Sequence, residues 1–406
     1  MRVKLLRELF SAVFLAVVSF ATGYMTGQSP FAPVQVFPNP NMPREAEQVF
    51  RPFWEVWNLV HEEYVDQPVD DVALTEGAIE GMLATLDDPN TRYLSPEDEA
   101  RARESMSGEF QGIGAEIERV GDDIVVVSPI EGSPAEAAGL RPGDILRQAD
   151  GIDLTGMDIF EAAEIVRGPA GTAVTLLIER DNQQLEITII RDVIKVPSVR
   201  GEMLADNIAY IRLTRFGDNT AQELETLLTD LIAQNPQGLI LDLRRNPGGS
   251  LNTAIEVADQ FLPETTVLIE RFGDGSEEIY RSTEAGLAED IPMVVLIDEG
   301  SASASEVIAG ALRDEQRAVL IGQTSFGKGT VQTWRRLSNG GGVRITIARW
   351  LTPAGRWVHG QGLEPDIVVP LPEETSSSEM PEDTQLQTAI NYLLGRPLPT
   401  TEPSQP

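Results

Sequence analysis

Two residue types in this chain could do covalent chemistry: a serine at 303 and a lysine at 328. Ser303 sits in Gly300-Ser301-Ala302-Ser303-Ala304-Ser305-Glu306, a small-residue turn that leaves an apolar strand and opens a helix. Such a turn presents a hydroxyl over helix-start amides, which can hold a developing oxyanion. The same spacing, Ser303-x-x-Glu306, also fits a capping box, which needs no chemistry. Lys328 sits in Phe326-Gly327-Lys328-Gly329, where glycines on both sides allow close backbone approach. The chain has 31 Lys and Arg, of which only Lys4, Lys195 and Lys328 are lysine. Arginine keeps its proton at any working pH, whereas a buried lysine can lose it. A lysine kept in so arginine-rich a chain is a candidate for a role arginine cannot fill, with chance as the alternative. A neutral amine can take a serine proton during attack on a carbonyl, so the chemistry would be that of a serine–lysine dyad. Lowering a lysine pKa from about 10.4 to a useful 7–8 costs about 4 kcal/mol, supplied by burial or a neighbouring cation. Gln332, four residues on, suits a neutral hydrogen bond to that amine, and an ordinary strand glutamine is its other reading.

A third loop, Asp242-Leu243-Arg244-Arg245-Asn246-Pro247-Gly248-Gly249, also lies where a strand ends and a helix begins. Amides in its Gly-Gly turn can supply a second oxyanion donor, or it can be a plain strand-to-helix turn. Gly322-x4-Gly327-Lys328 is close to a phosphate-binding loop. That loop needs Ser or Thr directly after the lysine, and Gly329 stands there instead. Cysteine is absent and the two histidines, His61 and His359, are far apart, which excludes thiolate chemistry and a multi-imidazole metal site. No metal and no cofactor are expected. The net charge of −33 argues against nucleic acid as a partner.

These loops need elements to hold them. The 406 residues suit two to three domains. Arg2, Lys4 and Arg7 precede an apolar run from Leu9 to about Met25, the pattern of an export signal or a single-pass membrane anchor over 1–27, with the rest of the chain on the extracytoplasmic side. Residues 28–45 read as a proline-rich linker. Residues 46–108 read as helical, with Phe53, Trp57, Val60 and Tyr64 on one face. Residues 109–195 read as a small domain of short strands, among them Ile113–Ile117, with helices near 134–138 and 159–167. Residues 196–370 alternate strand and helix, and runs such as Leu239-Ile240-Leu241 suit a sheet covered on both faces. Between Ser303 and Lys328 lie one helix, 305–313, and one strand, 318–322. A right-handed crossover returns that strand beside the one feeding the helix, so both loops meet one sheet edge. Residues 371–406 read as an acidic tail with a short helix near 386–394.

At these residues the sequence resembles the carboxyl-terminal processing peptidases, or tail-specific proteases. The blocks 300–306 and 325–329 are similar to the family's catalytic blocks, 243–249 to its oxyanion loop, and Phe110-Gln111-Gly112-Ile113-Gly114-Ala115 to the opening of its PDZ domain. The chain departs at Arg245, Gln323 and Gln361. The resemblance implies an α/β fold, a crotonase/ClpP-like protease core with an N-terminal helical region and an inserted PDZ domain. It implies Ser303 as nucleophile, Lys328 as general base and Gln332 as the lysine's partner, with oxyanion amides from Ala304 and Gly248 or Gly249. Glu306 needs no role beyond capping. The implied partners are protein substrates, bound by their C-terminal tails. Amides of Ile113, Gly114 and Ala115 would hold the terminal carboxylate while a strand edge pairs with the peptide. Arg167 would couple PDZ occupancy to the active site, although a plain surface arginine is the simpler reading. The function so implied is a serine endopeptidase cleaving near the C-termini of exported proteins. A catalytically inactive PDZ-bearing scaffold is the alternative, and self-association is left open.

Overall fold

The computed structural model describes residues 44–283, 286–370 and 383–398. The expected export segment and linker, and most of the acidic tail, lie outside the described residues. Among the described residues no helix is long and apolar enough to cross a membrane. The chain divides into two compact units. The described part of the first runs to Glu99 and takes in Gln332–Thr346; the second holds Ala100–Val331 and the residues from Ile347 onward.

In the first unit, helix α1 (Arg44–Glu63) and helix α2 (Asp71–Ala84) are followed by strand β1 (Arg92–Leu94) and the first turn of α3 (Pro96–Ser107). On α1, Phe53, Trp57 and Val60 are half-buried, while Tyr64 lies beyond the helix and is exposed. The ring nitrogens of His61 bond Trp57 O at 2.8 Å and Asp71 Oδ1 at 2.6 Å, joining α1 to α2. The strand β1 breaks the expected run of helix. Three residues are too few to print a period-two pattern, and β1 exists because Arg92–Leu94 pair antiparallel with Gly342–Arg344.

The second unit begins with the PDZ part. Strand β2 (Glu109–Gly112) pairs with β9 (Asp192–Lys195) at its neck. Between them lie β3 (Ala115–Val120), β4 (Asp123–Pro129), α4 (Pro134–Ala137), β5 (Ile145–Ala149), β6 (Ile152–Asp153), α5 (Ile159–Val166), β7 (Ala173–Arg180) and β8 (Gln183–Ile190). The sheet runs β3-β4-β5-β7-β8, so β3 is an edge strand. Its core gathers Ile113, Ile124, Leu146, Leu154, Val174, Leu176 and Ile178. The expected strand from Ile113 starts two residues later, at Ala115, because Gly114 turns the chain with φ +76°.

Beyond the neck come β10 (Val199–Leu204), β11 (Ile208–Leu213), α6 (Thr220–Ile232), β12 (Gly238–Asp242), α7 (Leu251–Asp259), β13 (Thr266–Phe272), β14 (Glu277–Arg281), β15 (Met293–Ile297), α8 (Ala304–Asp314), β16 (Ala318–Gly322), β17 (Thr330–Arg336) and β18 (Gly342–Leu351), whose residues 332–346 belong to the first unit, and then β19 (Ile367–Val368) and α9 (Thr384–Leu393). A six-stranded sheet runs β10-β11-β12-β15-β16-β19, parallel from β11 onward. Alternate residues of its strands feed two cores. Ile211, Leu239, Leu241, Val295 and Leu320 pack with α6, α7 and α8. Ile208, Ile240, Val294, Leu296 and Ile321 pack with Ala389 and Ile390 of α9. Both faces are therefore covered, which is why these strands carry unbroken apolar runs.

Candidate active site

Three neighbouring parallel strands, β12, β15 and β16, each end in one of the three loops singled out by sequence. Ligand sites of open α/β sheets gather at such carboxyl ends. The β15–α8–β16 crossover returns β16 beside β15, with Val295 opposite Leu320, so the loops bearing Ser303 and Lys328 emerge side by side.

Ser303 is partly exposed and held at φ +55°, ψ −114°. A non-glycine residue there costs about 1–3 kcal/mol, so its surroundings must enforce it. They do so from three sides. Ala302 N–H donates to Asn246 O at 3.0 Å, Val307 N–H to Ser303 O at 2.9 Å, and Ser303 N–H to Glu306 Oε2 at 2.8 Å. The last of these is the reciprocal half of a capping box.

Capping is not all that Glu306 does. Its carboxylate is fully buried. Oε1 accepts from Ser325 Oγ at 2.6 Å and from Gly327 N–H at 2.6 Å; Oε2 accepts from Lys328 N–H at 2.8 Å as well as from Ser303. The backbone nitrogens of Ser303 and Lys328 therefore lie within two hydrogen-bond lengths of each other. The expectation that capping suffices is corrected on this point, because a side chain aimed inward from the first turn of α8 meets the neighbouring loop. Other bonds fix the lysine loop. Phe326 N–H donates to Ser301 O at 3.0 Å, Trp350 Nε1 to Lys328 O at 2.8 Å, and Trp357 Nε1 to Gly329 O at 2.8 Å.

The third loop closes against the serine turn. Gly248 has φ +96°, and a Cβ there would stand 2.8 Å from Ser303 Cβ and 2.9 Å from Ala304 N. No other residue type fits so near the serine. The two glycines are not equivalent as donors. Gly248 N–H is taken by Asn246 Oδ1 at 2.9 Å, whereas Gly249 N–H makes no hydrogen bond among the described residues. Ala304 N–H opens α8 and has no intrahelical acceptor, as for any first-turn amide. Gln332 lies in β17 within the other unit, where its Nε2 donates to Thr346 Oγ1 at 3.2 Å.

In the PDZ part, Ile113 is buried and its carbonyl accepts Ala135 N–H at 2.8 Å. Gly114 O accepts Ile130 N–H and Ser133 Oγ, both at 2.9 Å. The N–H groups of Ile113 and Gly114 make no bond among the described residues. Ala115 then opens the edge strand β3, beside which α5 lies. Arg167 caps α5, is exposed, and places its guanidinium 5.3 Å from the centre of the Phe110 ring.

Sequence reasoning passed over Asn246 and Asp298 as individuals. Asn246 buttresses the serine turn through its carbonyl and ties Leu213 O with Nδ2 at 2.9 Å. Asp298 Oδ1 accepts Arg245 N–H at 2.8 Å and Gly300 N–H at 3.0 Å. Both are short polar residues in the loops that follow β12 and β15, which is the only local signal they give.

Residues 207–369 match the model of peptidase family S41, 125–180 a PDZ domain, and 28–98 the N-terminal domain of the activating protease CtpB. The chain is 40% identical over 367 residues to a carboxy-terminal-processing protease of Bartonella bacilliformis, covering 88% of this chain and 84% of that one. It is 39% identical over 352 residues to a carboxyl-terminal-processing protease of Synechocystis, covering 84% and 81%. Among solved structures, the photosystem II D1 C-terminal processing protease aligns over 80% of this chain and 93% of that one, at 32% identity and a TM-score of 0.49. An S41 protease of Bacteroides fragilis shares the fold over 83% and 96%, at 18% identity and a TM-score of 0.54. The chain belongs to peptidase family S41, as a serine peptidase of the carboxy-terminal processing kind that carries a PDZ domain.

Proposed function

We propose that the protein is an endopeptidase working by a Ser303–Lys328 dyad and cleaving near the C-termini of exported proteins. The observation that carries this reading is the single buried carboxylate of Glu306 bonded to the backbone of both residues. In the proposed cycle the neutral Lys328 amine takes the Ser303 proton as Oγ attacks the scissile carbonyl. The amides of Ala304 and Gly249 receive the oxyanion. The lysine then protonates the leaving amine, and water, deprotonated by the same amine, releases the acyl group. Gln332 would orient the amine, an assignment that rests on its place four residues past Lys328. Ile113, Gly114 and Ala115 would hold the substrate's terminal carboxylate, with the peptide added along β3. Arg167, beside Phe110 at the mouth of that loop, would report PDZ occupancy. The apolar N-terminal run would export or anchor the chain, which fractionation of cells carrying a tagged chain tests.

Ser303→Ala and Lys328→Arg should each remove at least about 10³-fold of kcat on an unstructured polypeptide, since triad-type members removed singly cost on this order. Turnover at the wild-type rate in Ser303→Ala would end the assignment. Peptide binding with no hydrolysis by the wild-type chain would favour the scaffold instead.

A further inference from the structure

The oxyanion turn is anchored by an element that the sequence reading left outside the site. Arg244 stands two residues before Asn246 and is buried. All five of its guanidinium hydrogens are used. Nε donates to Asp242 Oδ1 at 2.9 Å. Nη2 donates to Asp242 Oδ2 at 2.7 Å and Asp383 Oδ2 at 2.8 Å. Nη1 donates to Asp383 Oδ1 at 2.9 Å and Gln385 Oε1 at 3.0 Å. Two carboxylates thus grip one planar fork from two sides, a geometry that lysine could not replace. Asp242 is fully buried and accepts Arg244 N–H at 3.0 Å and Tyr210 OH at 2.7 Å as well. Asp383 caps α9 through Leu386 N–H at 2.9 Å, and the buried Gln385 donates to Val369 O at 2.7 Å.

We propose that Asp383 is a positioning residue for peptide hydrolysis, acting through Arg244 on the turn that presents Gly249 N–H. Docking of α9 does not rest on this pair alone. Its apolar face already covers Ile208, Ile240, Val294, Leu296 and Ile321, and a buried ion pair adds little stability over an apolar substitute. What the pair fixes is a location. Leu243 O, next to Arg244, accepts Ser301 Oγ at 2.8 Å. Arg245, on the other side, is held at φ +57°, and a Cβ on Gly300 would stand 2.8 Å from its Cα. Asn246 O then receives Ala302 N–H. A shift of Arg244 therefore reaches Ser303 and Gly249 through contacts with no slack between them. The proposal rests on the dyad reading, because it assigns Gly249 N–H to the oxyanion.

The test uses the full chain and an unstructured polypeptide substrate, with kcat, KM and melting temperature measured together. Asp383→Asn keeps shape and removes the charge. Its kcat should fall at least about tenfold with KM within threefold, because misplacement of catalytic groups costs rate more than binding. Ile390→Ala loosens the same helix without touching the fork and should lower the melting temperature while kcat stays within twofold. If Asp383→Asn keeps kcat within twofold, or if Ile390→Ala loses as much kcat at a matched melting temperature, the inference is wrong. Should Asp383→Asn fail to fold, Gln385→Met removes one acceptor from the fork, along with the bond to Val369 O, and should cost about threefold in kcat; an unchanged kcat there overturns the proposal. Turnover that survives Ser303→Ala would instead sink the dyad reading, so the two failures are told apart.

Discussion

At the scale of single residues, Glu306 decides more than its local pattern announces. Ser303 and Lys328 were legible because each lies in a short block whose composition is unusual for a turn, and because lysine is rare here. Glu306 was legible only as a cap, since Ser303 is three residues away in sequence, while Ser325, Gly327 and Lys328 reach it across a crossover. A carboxylate offers lone pairs to all four donors and presents no hydrogen of its own. A glutamine in its place keeps one accepting oxygen and turns an NH2 group toward either the Ser303 and Lys328 N–H groups or the Gly327 N–H and Ser325 hydroxyl. Each buried donor left unmet costs about 1–3 kcal/mol. Glu306→Gln should therefore lower the melting temperature, and it should cost about 10²-fold in kcat because both loops lose their shared reference point. A variant that melts and turns over as the wild type would show that the carboxylate's charge is dispensable.

At the scale of elements, the parallel sheet was readable and its additions were not. Strands such as Val294–Ile297 are buried on both faces, so each residue reports the same apolar environment. The connecting helix follows from length alone. Strands β1 and β14 gave no such signal: β1 has three residues, and Glu277-Glu278-Ile279-Tyr280-Arg281 is mostly exposed and polar, paired only because β13 offers it an edge. Helix α9 was expected, but its N-terminal link to Arg244 spans most of the core in sequence and leaves no periodic trace. The same limit applies to the PDZ loop, where the sequence gives the glycine and only the fold gives its neighbour. A Cβ on Gly114 would lie 2.5 Å from Ser133 Cβ at a backbone φ of +76°. Gly114→Ala must therefore displace the segment whose free amides are assigned to the carboxylate. Affinity for a labelled peptide bearing a free C-terminus should fall at least tenfold by fluorescence anisotropy, and amidation of that peptide should weaken wild-type binding similarly. Unaltered affinity in the variant would move the peptide site elsewhere.

At the scale of the whole molecule, 64 acidic against 31 basic residues make pH a strong variable, and its sign can be worked out. Protonating exposed carboxylates relieves self-repulsion and should stabilise the fold slightly as pH falls from neutrality. Asp144 and Asp383 are among the carboxylates that work the other way. Burial pushes the Asp144 carboxyl up, but its hydrogen bonds to Arg180, at 2.6 Å from both Nε and Nη2, act together with Arg141 N–H and the charges of both arginines to hold it below the usual carboxylate range. Asp383 is likewise raised by burial, and Arg244 together with the first amides of α9 brings it below the usual range. A carboxyl with a depressed folded pKa binds its proton more readily in the unfolded chain. The stability it adds is fully present above the unfolded value of about 3.9 and drains away as pH falls through the lower folded value. Asp144→Asn removes one such contribution. The melting-temperature gap between wild type and Asp144→Asn should be constant from pH 7 to about 5, then narrow below about pH 4, where the carboxyl begins to take up a proton in the unfolded chain while the folded one still resists it. A gap that widens on acidification would mean that Asp144 is not held in its charged form by Arg180, and that acid lability in this chain arises from some other group.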